Sequence, residues 1–264
     1  MKFLHLSDLH YSKHAGKNEK LDKMFKAIAK LYPEHSLIIS GDITDDGHKL
    51  QYSNARKALE PFKDRLFLCP GNHDYGTSGI GYFKERAELF DRELAVPLGQ
   101  GRPFAAKNEP VTSTPAQGKD RLMLIALNTC LETGSCLDFA CGEVGGKQLR
   151  ALAAILADPA VRSMKTILFF HHHLFAHTRK LLYLRDAAAL MKVLREHPAD
   201  YVLFGHLHKT GAWNDKAEVW NGKPGAAYVL AADKSPDSSI AREITYENNE
   251  LSFGYKWLRP TPKP

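Results

Sequence analysis

Five short stretches hold the residues whose types could do chemistry together: Asp8-x-His10, Asp42 within Gly41-Asp42-Ile43-Thr44-Asp45, Gly71-Asn72-His73-Asp74, His171-His172-His173 and Gly205-His206-Leu207-His208. Carboxylate, imidazole and amide oxygen are ligands for borderline ions such as Mn, Fe and Zn. No thiolate is among them. Two carboxylates and four imidazoles exceed what one tetrahedral zinc takes. They match a pair of cations about 3.5–4 Å apart, the spacing used by phosphatases and nucleases, with a carboxylate able to bridge them. Two divalent cations against two carboxylates and a hydroxide leave a centre of about +1, which attracts a phosphoester. Stabilising the charge that spreads over the phosphoryl group is the main task in such hydrolysis.

Taken singly, the motifs have duller explanations. Asp8-x-His10 after a strand is a common pairing, and Gly41-Asp42 makes an ordinary turn. Gly71-Asn72-His73-Asp74, coming after an apolar run and Pro70, is harder to explain as a turn alone. The same holds for Gly205-His206-x-His208 at a strand end.

The elements that must position these residues alternate. Strands are expected at Phe3–Ser7, Ser36–Ser40, Arg65–Cys69, Arg121–Leu127, Lys165–Phe170 and Tyr201–Phe204. Helices are expected at Asn18–Leu31, His48–Leu59, Tyr82–Leu94, Gln148–Leu156 and Leu181–Arg195. In the first helix Leu21, Met24, Phe25, Ile28 and Leu31 have helical spacing, with Asn18 as cap and Pro33 past the end. After Gly205 only strands follow: Ala217–Trp220, Ala226–Ala231, Ile240–Tyr246 and Leu251–Trp257. Asn248-Asn249 turns the last two into a hairpin, since Asn tolerates positive φ. One domain over 1–258 is expected, with an irregular excursion at about 97–120 and a loose tail at 259–264. The chemically loaded turns all follow apolar strands, and ligands of α/β sheets bind beyond the carboxyl ends of strands. Five such turns can converge.

Bulk properties narrow the class. The 264 residues suffice for a substantial core, and the composition, 44% hydrophobic and 25% charged, is that of an ordinary globular protein. The net charge of +6 favours anionic ligands, but Lys and Arg are scattered rather than blocked, so no dedicated nucleic-acid face is expected. The apolar runs Leu122–Leu127 and Thr166–Phe170 are too short to span a bilayer, so no membrane partner is expected. Cleaving a leader of about 15–30 residues would remove Asp8 and His10, so a cytoplasmic location is expected. Cys69, Cys130, Cys136 and Cys141 lack redox or zinc-ribbon spacing and read as reduced, small apolar fillers.

The order DxH, GDxxD, GNHD, strand-end His and GHxH resembles the calcineurin-like metallophosphoesterase superfamily over about Met1 to His208. The motifs look most like its bacterial cyclic-nucleotide and glycerophosphodiester phosphodiesterase branch. The resemblance implies an α/β four-layer sandwich, two facing mixed β-sheets flanked by α-helices. It implies that Asp8, His10 and His208 bind one metal, that Asn72, His171 and His206 bind a second, and that Asp42 bridges both. It implies that His73 donates a proton to the leaving oxygen and that the Asp45 carboxylate orients it. The activity implied is hydrolysis of a small organic phosphate, as phosphodiesterase or phosphatase, by a hydroxide between two Mn, Fe or Zn ions. A nuclease is the near alternative, although no DNA-binding cap is visible. A metal-binding scaffold without activity is the alternative of another class.

Two departures stand out. The family usually has His-His-Pro or His-x-Pro after the fifth strand, whereas this sequence has His171-His172-His173-Leu174 with no proline, which leaves open a register in which His172 or His173 is the ligand. Asn128-Thr129 also replaces a usual Asp-Ser. The loops Tyr11–Lys17, Tyr75–Gly81, Pro97–Lys119 and His177–Lys180 should set specificity.

Overall fold

The structure is a computed structural model that describes residues 1–101, 103–115, 121–131, 140–175, 182–214, 228–232, 235 and 240–258. Its strands are β1 (Lys2–Leu6), β2 (His35–Ser40), β3 (Leu66–Cys69), β4 (Val111–Ser113), β5 (Leu122–Ala126), β6 (Lys165–Phe169), β7 (Tyr201–Phe204), β8 (Gly211–Asn214), β9 (Tyr228–Ala231), β10 (Ile240–Glu247) and β11 (Glu250–Trp257). Its α-helices are α1 (Ala15–Leu31), α2 (Lys49–Leu59), α3 (Asn72–Tyr75), α4 (Lys84–Leu89), α5 (Phe104–Lys107), α6 (Gly145–Ala157), α7 (Pro159–Arg162) and α8 (Ala187–Glu196).

Two mixed sheets form. The first has the order β11-β10-β1-β2-β3, the second β4-β5-β6-β7-β9-β8. β1, β2 and β3 are parallel, as are β5, β6, β7 and β9. Parallel strands buried on both faces need continuous apolar runs rather than alternation with polar residues. The second sheet shows why. Leu124, Ala126, Ile167, Phe169, Tyr201 and Leu203 pack in the core shared with the first sheet. Ile125, Leu127, Leu168, Phe170, Val202 and Phe204 point the other way, onto Leu152 of α6 and Leu190 and Leu194 of α8. The period of two along a strand thus builds two cores from one run. On the far side of the first sheet, Phe25 and Ile28 of α1 and Tyr52 and Leu59 of α2 are buried. The result is helix, sheet, sheet, helix: the α/β four-layer sandwich.

Several elements depart from the sequence reading. The excursion at 97–120 carries α5 and the edge strand β4, antiparallel to β5. Asp91 makes the helix possible, its carboxylate accepting the N–H groups of Phe104 and Ala105 at 2.8 Å each. The helix expected at Tyr82–Leu94 begins at Lys84 and widens into a π-type turn over Phe90–Ala95. The helix expected at Leu181–Arg195 begins only at Ala187, because Asp186 is used elsewhere: its oxygens accept from Val144 and Gly145 at the start of α6. β8 lies at Gly211–Asn214. The strand expected at Ala217–Trp220 falls outside the described residues, as do Cys136 and the loop His177–Lys180. Among the described residues no helix is long and apolar enough to cross a membrane.

Candidate metal centre

Because β1, β2 and β3 are parallel, their carboxyl ends share one edge, and the sheets are tied there by the backbone. Asp8 N–H donates to Gly41 O (3.1 Å) and His10 N–H to Asp42 O (3.0 Å). In the second sheet, Gly205 N–H donates to His171 O (3.0 Å), and across the sandwich His206 N–H donates to the Asp8 carboxylate (3.2 Å). Gly41 sits at φ +90°, and a Cβ there would come within 2.6 Å of the His171 ring, so the turn after β2 needs glycine to admit that imidazole.

Asp8, His10, Asp42, His206 and His208 all adopt positive φ, between 52° and 74°. That backbone is costly for residues with a Cβ and persists only where surrounding structure enforces it, typically at functional sites. No sequence pattern announced it.

The structure brings the seven candidate ligands together in two groups. Asp8, His10 and His208 form one, with His208 Nε2 at 3.2 Å from Asp8 Oδ1 and 3.4 Å from His10 Nε2. Asp42, His171 and His206 form the other, joined by Asn72. His171 Nε2 lies 3.3 Å from Asp42 Oδ2, 2.9 Å from Asn72 Oδ1 and 3.2 Å from His206 Nδ1. Asp42 reaches both groups, its Oδ2 also lying 3.9 Å from His10 Nε2. His73 N–H donates to Asp42 Oδ1 at 2.9 Å.

The donor chemistry fits a cation. His171 Nδ1 is 2.8 Å from the Ser40 carbonyl, an acceptor only, so the Nδ1 proton goes there and Nε2 turns its lone pair to the cluster. Asn72 Nδ2 donates to Gly79 O at 3.0 Å, which aims Oδ1 inward. The buried His206 Nε2 has no hydrogen-bond partner, while its Nδ1 faces His171. Lone pairs and carboxylate oxygens thus lie close together in overlapping groups, the donor set that cations need.

Electrostatics follow the same geometry. Burial opposes ionisation of Asp42, but the charges of His171, His73 and His10 hold it well below the usual carboxylate range. Burial would lower His171; Asp42 and Asp8 overcome that and push it up to about 9. Burial and the neighbouring His171 charge lower His206 to about 3. Without a cation, the cluster settles by holding a proton on His171.

Among the three consecutive histidines, His171 alone meets Asp42 and Asn72. His172 Nδ1 pairs with Thr129 Oγ1 at 2.8 Å, and His173 Nδ1 accepts the Phe175 N–H while its ring packs on Phe204. Thr129, one half of the Asn128-Thr129 departure, thus supports His172. Asn128 pairs with Gln148 of α6 instead.

Asp45 differs from expectation in one atom. Its carbonyl oxygen, 2.8 Å from His73 Nδ1, meets the imidazole. Its carboxylate Oδ1 lies 3.5 Å from His10 Nδ1 instead. Asp74, in the same run as His73, has a role that the spacing of paired side chains does not reveal. It is fully buried and accepts from Gly71 N, Ile43 N, Thr44 N and Thr44 Oγ1 at 2.9–3.2 Å, locking the turn after β2 to the turn after β3. Burial and the charge of Asp42 push its carboxyl up to about 6, against those hydrogen bonds. Its place at N3 of α3, three residues after Gly71, was the available signal.

Above the cluster lies a cavity of about 280 Å³ lined by Asp42, Asn72, His73, His206 and His208 on one side and Ala140, Leu182 and Leu207 on the other. It is small for a ligand site and pairs a polar floor with a short apolar wall.

A sequence profile of calcineurin-like phosphoesterases matches residues 1–210. A cAMP/cGMP dual specificity phosphodiesterase of Mycobacterium tuberculosis (strain CDC 1551 / Oshkosh) is 32% identical over 180 residues, which is 66% of this chain and 48% of that protein. A probable cyclic nucleotide phosphodiesterase of Rhodococcus erythropolis (strain PR4 / NBRC 100887) is 30% identical over 66% of this chain and 51% of its own. The chain thus spans about half the length of these curated relatives. A purple acid phosphatase from yellow lupin seeds shares the fold, with a TM-score of 0.64 and 12% identity over 98% of this chain and 51% of that one.

Proposed function

The chain belongs to the calcineurin-like phosphoesterase family; we propose that it is a phosphoric ester hydrolase that cleaves a small organic phosphodiester, of cyclic-nucleotide type, with two divalent cations. Asp8, His10 and His208 would hold one, Asn72, His171 and His206 the other, and Asp42 both. When bound, the cations would supply electrostatic stabilisation of the phosphoryl oxygens and an activated nucleophile.

The observation that carries this reading is the convergence of acceptor atoms around His171 Nε2, with Ser40 O and Gly79 O fixing the tautomer of the one and the rotation of the other. The remaining work falls to His73. With Nδ1 directed to the Asp45 carbonyl, a proton on Nε2 would be the one available to the leaving oxygen. A short wall of Ala140, Leu182 and Leu207 suits a base or glycerol group. The names of the curated relatives support the cyclic nucleotide over other diesters.

The test is elemental analysis of the purified chain with a substrate panel: bis-p-nitrophenyl phosphate, cyclic AMP and GMP, glycerophosphodiesters, nucleoside monophosphates and single-stranded DNA. Two cations per chain and turnover concentrated on cyclic nucleotides are expected. Preference for DNA would replace the reading with a nuclease. Metal uptake with no turnover on any ester would replace it with a scaffold.

A further inference from the structure

The two residues that follow the bridging turn, Asp45 and Asp46, reach two successive residues of the next one. The Asp45 carbonyl meets His73 Nδ1. Asp46 works at one remove, through the turn Thr77–Ile80. Thr77 N–H donates to Ile80 O (3.0 Å) and Ile80 N–H to Thr77 O (2.9 Å), with Ser78 at φ +50° and Gly79 at φ +74°, a two-residue hairpin turn of the kind that requires positive φ at both central positions. Asp46 Oδ1 accepts the Ser78 N–H at 2.9 Å. Asp46 is itself braced by Gln51 of α2, whose Oε1 accepts the Asp46 N–H at 3.0 Å and whose Nε2 donates to Asp46 Oδ2 at 3.4 Å. The far side of the turn then touches the site. Gly79 O accepts from Asn72 Nδ2, and a Cβ on Gly79 would lie 2.5 Å from that nitrogen and 2.6 Å from His73 Nε2.

An asparagine amide is nearly symmetric in shape, and its two ends differ only in what they bond. Rotated by half a turn, Asn72 would offer its NH₂ to a cation, which would reject it. The Gly79 carbonyl is the acceptor that selects the other rotamer. Glycine at 79 is needed twice: for its φ, and because any side chain would push both Asn72 and His73.

We propose that Asp46 and the Thr77–Ile80 turn form a positioning clamp that sets the rotation of the Asn72 amide and the seat of the His73 ring. The clamp rests on the reading above that Asn72 is a cation ligand and His73 the acid. Asp46 touches neither, so its variants leave both intact.

The test uses full-length Asp46→Ala, Asp46→Asn and Gly79→Ala. Mn²⁺ is titrated calorimetrically into metal-free protein, and the coupling of the two Mn²⁺ spins is followed by electron paramagnetic resonance. Loss of such a supporting contact costs about 10–100-fold in metal affinity or activity. Asp46→Ala is expected to weaken one of two Mn²⁺ sites about tenfold, to leave the other unchanged and to diminish the spin coupling. Its kcat should fall while KM holds, and more on an alkyl ester than on a nitrophenyl ester. Asp46→Asn keeps an oxygen for the Ser78 N–H and should stay within about twofold of the wild type. Gly79→Ala should weaken the same site more. Unchanged Mn²⁺ binding in Asp46→Ala would overturn the clamp alone. So would equal loss in the Ala and Asn variants, or loss at both sites together with a lower melting temperature. A wild-type chain that takes up no Mn²⁺ would overturn the reading beneath the clamp as well.

Discussion

One half of the candidate metal centre is built into the core and the other is built onto it. His171 is fully buried, and Asp42 2% exposed; the ring of one is aimed by a backbone carbonyl, and Asn72 beside it by another. In the other half Asp8 is fully buried, but the His208 side chain is 41% exposed and His10 leans on the Asp45 carboxylate, itself 38% exposed. Ligands fixed by main-chain acceptors in a packed core cannot relax when a cation leaves. Ligands at a solvated rim can. The same seven residues, which look equivalent in sequence, therefore make one site expected to hold its cation firmly and one expected to exchange it.

Asp42 spans both halves, so its loss should be the most damaging change. Asp42→Asn is expected to lower uptake from two cations to fewer than one per chain and to reduce kcat by roughly 10³-fold, by analogy with loss of a principal electrostatic stabiliser. Full occupancy by elemental analysis would deny the bridge and with it the division of the centre into two linked halves. His73 lies within reach of His10 and Asp42 but is proposed as the acid rather than a ligand. His73→Ala should keep both cations and lose roughly 10²–10⁴-fold on an alkyl phosphoester, where the leaving alkoxide needs a proton. On a nitrophenyl ester the loss should be much smaller. Equal losses on both leaving groups, with metals retained, would assign His73 to holding phosphate oxygens instead. Asp45→Asn should show little of this pattern, because the carbonyl that meets His73 survives the substitution.

The contrast between halves can be tried directly. A chelator should strip one cation from the wild type well before the other. His208→Ala should abolish the easily stripped cation and leave the second, whereas His171→Ala should lose the firmly held one. Binding at the buried half should also release a proton. In the metal-free chain His171 is raised to about 9 by Asp42 and Asp8, so it carries a proton at neutral pH that a cation must displace. Affinity there should rise with pH up to about 9. Calorimetry in buffers of different ionisation enthalpy would count the protons, and a count of zero would mean that His171 is neutral before the cation arrives.

What could be read beforehand followed from covalent spacing. Apolar runs of four to six residues marked β1, β2, β3, β5, β6 and β7 because parallel strands buried on both faces admit little else. The polar residues just after them were legible because strand ends are where such sheets place ligands. Three kinds of feature were not legible. β4 and β8 are short edge strands whose pairing depends on a partner far along the chain, not on their own pattern. The positive φ of Asp8, His10, Asp42, His206 and His208 is imposed by the surrounding turns, since nothing in Asp or His asks for it. The division of labour within Asp45, carbonyl to His73 and carboxylate toward His10, turns on a single bond rotation. Asp74, by contrast, sat in plain view within the Asn72-His73-Asp74 run. Its partners are backbone N–H groups, which the spacing of side chains along the sequence does not reveal.

Behind the buried half lies a group that tests how firmly the core holds it. His5 of β1 is 1% exposed, its Nε2 is 2.8 Å from Ser40 Oγ, and Ser40 is the residue whose carbonyl aims His171. His5 Nδ1 is buried without a hydrogen-bond partner. Burial, and after it the charge of Arg242, lowers the His5 pKa to about 3, although Asp8 pulls the other way. In the unfolded chain it should titrate near 6.5. The folded protein therefore refuses a proton that the unfolded chain takes up. The stability this represents is whole above pH 6.5 and is lost as pH falls toward 3. At pH 4 the loss should be roughly 3 kcal/mol from this group. His5→Gln does not titrate, and its amide can still reach Ser40. Urea unfolding of metal-free wild type and variant, from pH 7 to pH 4, should show the wild type losing stability more steeply, by up to one proton's worth, about 1.4 kcal/mol per pH unit. Parallel curves would mean that His5 accepts its proton in the folded state and that water or Asp8 reaches it there. The wall behind His171 would then be less closed than its burial implies, and the contrast between the two halves of the centre would shrink accordingly.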